Sequence, residues 1–369
     1  MISARTQPQL TGQLPLLIRS LIAIVLLLGK LSMNAQVEMP LLDTMRAKIE
    51  TEAYRNIHSV LIQQSGQLKY EAYFAGYSVD SLHDTRSAFK SITSLLTGIA
   101  LDKGYLKTLD TPLLQFFPDY EPEDLRKKQI TLRHLIEMKG GFEADEFYGI
   151  GPDAEAAMSE TDDWVAFSIN LPMKDDPGLN FSYTSCEPML LGAAIAKAAD
   201  QSIMDFSKSY LFEPLGITNY RWTISPEGHG MTAGSFFMRP RDMIKIGELV
   251  LREGAWGEQS IISSPWIHTS TRCLTPIDFS FARYSRMDNA QVQTSRYGYY
   301  WYKERLRYQG IDTDVLFASG NGGQYIMILK DWDMVVVFTG GNYGNWRGKL
   351  PFEILLKYIL PSFSKLSNK

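Results

Sequence analysis

The chain has 369 residues, 45% of them hydrophobic and 12% aromatic, and a formal net charge of −4. That is enough apolar material for one large domain or two interleaved ones, and it excludes a disordered chain. No basic block interrupts the acidic balance, so nucleic acid is not expected as a partner.

Residues 1–35 differ in character from the rest. Arg5 and Arg19 precede an apolar stretch, Leu21 to Gly29, and Ser32-Met33-Asn34-Ala35 follows. A basic start, a short apolar centre and a small residue before the cut read as a secretory signal peptide cleaved after Ala35. The apolar centre falls short of the ~20 residues that a spanning helix needs. No stable membrane span is therefore expected after cleavage, and an uncleaved anchor is the alternative. The segment holds three cations and no acids, so cleavage takes the net charge from −4 to −7. The expected location is periplasmic or extracellular. Export permits a disulfide between Cys186 and Cys273, but two cysteines so far apart in sequence do not establish one. The five histidines form no H-x-x-x-H pattern and the cysteines no C-x-x-C, so neither metal nor cofactor is expected.

Leu41 to Tyr54 has helical apolar spacing. Ser59 to Gln63 and Gln67 to Tyr73 read as two strands around Ser65-Gly66. A polar segment, Ser78 to Arg86, leads into Ser87-Ala88-Phe89-Lys90-Ser91, which opens an apolar helix that Gly104 ends. From there to about residue 255 the pattern is mostly helical. A short helix starts at Thr131, ahead of Gly140-Gly141, and another covers Trp164 to Leu171, stopped by Pro172. Glu187 to Ala199 reads as a buried helix, and Pro240 with Asp242 starts one that runs to Leu251. Gly254 and Gly257 flank a turn, and β pattern follows. Tyr297 to Tyr302 is aromatic, and Gln324 to Leu329 pairs with Met334 to Phe338 around Lys330-Asp331-Trp332-Asp333. Phe352 to Leu360 closes with a helix.

Strands at both ends and helices between predict an α/β (α+β) fold. An antiparallel sheet is built from both termini, residues 41–86 with 256–369, and flanked by helices. A mostly helical region, about 87–255, is inserted. No repeat or low-complexity linker divides residues 36–369.

Three stretches carry the chemistry. Ser87 and Lys90 are three apart, so on a helix they face the same side. A serine alcohol is a poor nucleophile until an adjacent base takes its proton, and Lys90 is spaced to take it. A first-turn Ser87 also aims its own N–H, with the helix dipole behind it, at developing negative charge. The pattern alone says little, since Ser362 to Lys365 repeats it in a polar tail. Pro177 to Ser185 brings Tyr183 and Ser185, a phenol that can act as a base beside an ammonium and a hydrogen-bonding hydroxyl. Tyr54-Arg55-Asn56 and Tyr343-Gly344-Asn345 match the same short pattern. Ser319-Gly320-Asn321-Gly322-Gly323-Gln324 sets glycines before a strand, where a backbone N–H can approach a substrate oxygen; read alone it is equally a turn. Glu143 to Asp163 holds eight acids and no base. It is either a solvated loop or a loop over the site that favours cationic substrates.

In order and spacing these stretches resemble the serine β-lactamase and penicillin-binding-protein superfamily, in its class C-like branch with esterases and D-amino-acid peptidases. The similarity covers most of residues 45–360. It runs through Ile130-Thr131-Leu132-Arg133-His134-Leu135-Ile136, Trp164-Val165, Pro177-Gly178-x-x-Phe181-x-Tyr183, Leu190-Leu191-Gly192, Pro214-Leu215-Gly216-Ile217, Pro240-Arg241-Asp242-Met243 and Gly320-x-Gly322-Gly323-Gln324. The resemblance implies a β-lactamase/transpeptidase-like fold in which Ser87 is acylated by a carbonyl substrate. Lys90 and Tyr183 share the proton work, and Ser185 hydrogen-bonds near Lys90 and the substrate. Asn321, Gly322, Gly323 and Gln324 line the substrate, with the N–H groups of Ser87 and Gln324 as the oxyanion hole. Such a donor is typically worth ~3 kcal/mol in the transition state.

Two departures narrow the substrate. Ser185 stands where the β-lactamases usually have asparagine, and Asn321 where they usually have lysine or histidine. A neutral amide there weakens carboxylate recognition and favours an ester or small amide over a β-lactam, although Arg347 could supply a replacement charge. The expected function is an exported serine hydrolase acting through an acyl-enzyme on an ester, small amide or D-amino-acid peptide. A β-lactamase or D,D-peptidase proper is one alternative, and a catalytically weak binding or sensor protein on the same fold is another. The partner in each case is a small molecule or peptide. No G-x-S-x-G occurs, which argues against a Ser-His-Asp hydrolase of the usual α/β type.

Overall fold

Strand runs from both ends of the chain share one sheet in a computed structural model, which describes residues 39–147, 153–284, 291–292 and 294–364. The proposed signal peptide lies outside the described residues. The unit that carries the fold begins at Leu41. Among the described residues no helix is long and apolar enough to cross a membrane.

The first helix, α1, is Pro40–Glu50, and β1 (Ile57–Gln64) and β2 (Gln67–Tyr73) follow as a hairpin. β3 (His83–Asp84) leads into α2 (Ala88–Asp102). The middle of the chain supplies α3 (Leu132–Ile136), α4 (Ala154–Ser159), α5 (Trp164–Asn170), α6 (Cys186–Ala199) and α7 (Pro240–Leu251). It also supplies β4 (Tyr220–Trp222) and β5 (Phe236–Met238), so the region read as mostly helical holds a small antiparallel sheet in the order β3-β5-β4. Then come the short pair β6 (Ala255–Trp256) and β7 (Gln259–Ser260), and the strands β8 (Thr275–Pro276), β9 (Gln291–Val292) and β10 (Arg296–Gly298). The long C-terminal strands are β11 (Trp301–Tyr308), β12 (Ile311–Gly320), β13 (Gln324–Leu329) and β14 (Met334–Gly340). Helical segments from Leu350 to Ser364 end the described chain.

The main sheet runs β2-β1-β14-β13-β12-β11-β10-β8 among the described residues, with β9 on β11, and neighbouring strands are antiparallel. The N-terminal hairpin joins the C-terminal strands through β1 and β14, with Val60 opposite Phe338. β13 and β14 are buried along their whole length, which is why they read as continuous apolar runs. α7 covers them so closely that a Cβ on Gly247 would lie 2.4 Å from a Val335 methyl carbon. β11 is legible in the sequence only at its aromatic start, Trp301-Tyr302, and β12 not at all. Their outward positions carry Lys303, Arg305 and Arg307 facing Asp312 and Asp314, with ion pairs such as Arg305–Asp312 at 2.6 Å. Cross-strand charge pairs hold such a strand without the apolar run that betrays one in sequence.

α2 is buried from Ala88 through Ala100 and packs against α6 and β12. Its entry turn is fixed from two sides. The Thr85 N–H and hydroxyl both donate to the Phe236 carbonyl oxygen, at 2.9 and 2.8 Å. On the other side the end of β12 presses against this turn, and a Cβ on Gly320 would sit 2.1 Å from the Thr85 carbonyl oxygen. Backbone cannot swing aside as a side chain can, so only glycine fits there.

Glu304 is the buried acid of β11. It accepts the N–H groups of Phe281 and Ala282, at 2.6 and 3.1 Å, and the Ser295 hydroxyl, tying the segment that carries Phe281 to the sheet. Burial outweighs these bonds and raises its carboxyl from 4.5 to about 7.

Two outcomes follow from this packing. Gly320→Ala is expected to lower stability by about 1–3 kcal/mol, read as a lower urea midpoint at unchanged slope. Because folding raises the Glu304 carboxyl, the folded state holds more protons than the unfolded one between about 4.5 and 7. The stabilisation is full below that window and is lost as pH rises through it. Thermal melts across the window should show a downward slope in the wild type that is reduced in Glu304→Gln.

Candidate active site

Ser87 is the N-cap of α2, a position where serine usually spends its hydroxyl on the helix N–H groups. Here carbonyls of the entry turn accept those groups instead: Ala88 donates to Thr85, Phe89 to Arg86 and Lys90 to Ser87, at 3.0–3.2 Å. Arg86 takes a left-handed φ of 49° to close the turn, held by its N–H on Asp84 Oδ1 at 2.9 Å. The Ser87 hydroxyl is left to Lys90, whose Nζ lies 3.0 Å from Oγ.

Lys90 is 1% exposed, and its ammonium has three acceptors: Ser87 Oγ at 3.0 Å, Ser185 Oγ at 2.9 Å and the Ala233 carbonyl oxygen at 3.0 Å. Three donors meet three acceptors. Burial by itself would lower this lysine, but Tyr183, Glu146 and Glu155 outweigh it and hold its pKa above the ordinary value. Nζ lies 4.9 Å from the centre of the Tyr183 ring. That ring is fixed by stacking on Phe147 at 4.1 Å and by the edge of Tyr297 at 6.2 Å. Ser185 is the N-cap of α6, and it too withholds its hydroxyl from its own helix. The starts of two packed helices thus bring Ser87, Lys90, Tyr183 and Ser185 together from the beginning and the middle of the inserted region.

These groups border a cleft of about 650 Å³. Ser87, Tyr183 and Asn321 line it. Ser319 of the third stretch lines it too, whereas Gly320, Gly322, Gly323 and Gln324 do not. A Cβ on Gly322 would meet the Tyr343 ring at 2.6 Å, and Gly323 abuts Gly348. The Gln324 amide is turned into the sheet, its Nε2 donating to the Gly340 carbonyl at 2.5 Å and its Oε1 accepting from Gly340 N–H at 3.2 Å. The Gln324 side chain is thus engaged within the sheet. Asn321 is held by its Oδ1, which accepts the Gly344 N–H at 2.9 Å.

Several cleft residues escaped the sequence reading. Arg347 lies over its own neighbour Trp346, at 5.3 Å, and is not in the lining. The cations that do line the cleft are Arg86 and Lys349. Lys349 sits 4.5 Å from the centre of the Phe281 ring, and burial, opposed by Glu304, lowers it to about 8. The acidic stretch divides between both readings offered for it. Asp163 caps α5 and Glu160 is exposed, whereas Asp145, Glu146, Asp153 and Glu155 line the cleft. Glu146 accepts the Ser185 N–H at 2.5 Å and its hydroxyl at 2.8 Å, and Glu155 lies 2.5 Å from the same hydroxyl. The concentration of acids was the one available signal; which of them turn inward is decided by the loop path. Cys186 and Cys273 are both free and buried, and burial pushes each thiol up to about 12, the state of inert thiols.

The comparisons with known proteins bear on the family and the fold. The family model Beta-lactamase matches residues 51–351. A search of curated proteins found no match. Among solved structures the chain is similar to a Bacillus anthracis protein provisionally named a 6-aminohexanoate-dimer hydrolase, at 16% identity and a TM-score of 0.67, covering 85% of this chain and 80% of that one. It is similar to a Bacteroides dorei DSM 17855 protein provisionally named a beta-lactamase, at 16% identity and a TM-score of 0.68, covering 88% and 99%. It is also similar to an octameric penicillin-binding protein homologue from Pyrococcus abyssi, at 19% identity and a TM-score of 0.65, covering 89% and 77%. At such identities the structures speak to the fold, which is the β-lactamase/transpeptidase fold. With the family model matched over most of its length, the chain belongs to the Beta-lactamase family of serine hydrolases.

Proposed function

We propose that the protein is an exported serine hydrolase that works through an acyl-enzyme on Ser87 and cleaves an ester, a small amide or a D-amino-acid peptide. The observation that carries this reading is the buried Lys90 ammonium lying 3.0 Å from Ser87 Oγ and 2.9 Å from Ser185 Oγ, behind the cleft that Ser87 lines. In the first step the Lys90–Tyr183 pair, having given one proton to solvent, takes the Ser87 proton as Oγ attacks the substrate carbonyl carbon. The N–H groups of Ser87 and Gln324 receive the oxyanion. Collapse expels the alkoxide or amine, which takes the proton back. A water then attacks the acyl-serine by the same route, releasing the acid and restoring Ser87. Export rests on the character of residues 1–35.

A second reading, an anionic substrate such as a β-lactam, is favoured by one observation. Arg86 and Lys349 put positive charge on the cleft wall where Asn321 puts none. The name of the Bacillus anthracis relative, a hydrolase of a linear amide dimer, supports the small-amide branch of the first.

Short-chain p-nitrophenyl esters separate the outcomes. Ser87→Ala is expected to reduce their hydrolysis by more than about 10³-fold, with a covalent mass increase on acylating probes in the wild type only. Equal rates in both proteins would refute Ser87 as nucleophile. Nitrocefin is expected to turn over far more slowly than the esters; the reverse order would favour the anionic-substrate reading.

A further inference from the structure

We infer that Glu146 and Glu155 form a pair that shares one proton and whose single remaining negative charge holds Lys90 in position through Ser185. The inference deepens the acyl-enzyme reading, since it assigns positioning residues to the same lysine.

The argument is a count of hydrogens around one oxygen. Ser185 Oγ lies 2.9 Å from Lys90 Nζ, 2.8 Å from Glu146 Oε2 and 2.5 Å from Glu155 Oε2. A hydroxyl has one hydrogen and two lone pairs. The ammonium is donor only, so it takes one lone pair. The hydroxyl hydrogen serves one carboxylate. The remaining oxygen–oxygen contact contains a hydrogen only if that carboxyl is itself protonated and donates to the second lone pair. With one proton on the pair, all three contacts are hydrogen bonds. With none, a carboxylate oxygen faces a bare lone pair, and two negative charges face one positive charge.

The surroundings support a single charge. Burial raises the Glu146 carboxyl, Lys90 opposes the rise and Glu155 adds to it. Its Oε1 accepts the Ser185 N–H at 2.5 Å, which a neutral carboxyl's carbonyl oxygen does as well as a carboxylate. Of the cations that line the cleft with the pair, Arg86 is bound to Asp84 at 3.0 Å and Lys349 lies against Phe281. Cys186 on α6 and Tyr302 on β11 are neutral, both raised by burial. Tyr183 precedes α6, and Asp145 and Asp153 flank the pair on the cleft wall. Asp84 on β3 is raised by burial and paired with Arg86 at 3.0 Å. The pair then sets one negative charge against the ammonium, and Lys90 rests between Ser87 and Ser185. A second negative charge would draw the ammonium toward the acids and away from the nucleophile.

Infrared difference spectra of the mature protein at pH 7 test this without any turnover. In Glu146→Gln and in Glu155→Gln, one acid remains beside Lys90 and ionises. Each wild-type-minus-variant spectrum should therefore show one protonated-carboxyl C=O band lost. Glu187 and Glu304, whose buried carboxyls are also raised, are present in every protein and cancel. A band missing from both differences overturns the inference, and a band in only one means an acid protonated on its own account, which overturns the sharing. Kinetics supply the second arm. Glu146→Ala should lower kcat on p-nitrophenyl acetate by about tenfold or more with little change in KM, and Glu146→Gln should recover most of the loss, because an amide donates as a protonated carboxyl does. Equal losses in the two variants overturn the positioning role. If both bands are found while Ser87→Ala leaves hydrolysis intact, the pair stands and the acyl-enzyme reading fails.

Discussion

The ammonium of Lys90 is the charge on which the site depends. Taking such a group out of water costs several kcal/mol, and the cost is recovered only where donors and acceptors match in number and direction. Here the Ser87 hydroxyl, the Ser185 hydroxyl and the Ala233 carbonyl meet the three N–H bonds, and carboxylates beyond Ser185 supply the opposite charge. Those acceptors come from three separate segments of the chain. The lysine therefore does two things at once. It prepares Ser87 for chemistry, and it fixes the starts of α2 and α6 against each other.

The sheet enters the site through close approaches. β12 ends against the turn that carries Arg86, with room only for the hydrogen of Gly320. β5 holds the same turn from the other side through Thr85. Between them Arg86 is kept in a left-handed conformation, and the helix N–H groups that a serine cap would normally take are satisfied by backbone. The result is a serine hydroxyl at a helix start with no structural duty to its own helix. The left-handed residue next to the nucleophile is where strain is spent on positioning.

The cleft has two electrical sides. Arg86 and Lys349 contribute positive charge, and Asp145, Glu146, Asp153 and Glu155 contribute acids. Asn321, the departure that argued for a less anionic substrate, removes only one cation from this arrangement. Lys349 sits against Phe281, on the segment that Glu304 pins, so the aromatic wall, its lysine and the buried acid of β11 form one linked unit. The cleft wall is thus assembled from residues far apart in sequence, on the acidic stretch, on β11 and after β14.

What the sequence by itself determined is the set of local patterns. The spacing of Ser87 and Lys90, the pair Tyr183 and Ser185, the glycines before β13, and the apolar runs of β1, β13 and β14 are each readable because the relevant period is shorter than one element. The order of those patterns also carried the fold, with its sheet built from both termini. Tertiary structure alone decided the rest. β11 and β12 hide their strand character behind alternating charges that are satisfied only by pairing across the sheet. Glu146 and Glu155 lie in a stretch of eight acids, and nothing local distinguishes those that turn toward Ser185 from those left in solvent. Arg347 and Lys349 are two residues apart, yet one stacks on Trp346 and the other faces the cleft. Charge type is a property of a residue, whereas its partner is a property of the path the chain takes. That is why the spacing of Ser87 and Lys90 could be read from the sequence and the groups that surround them could not.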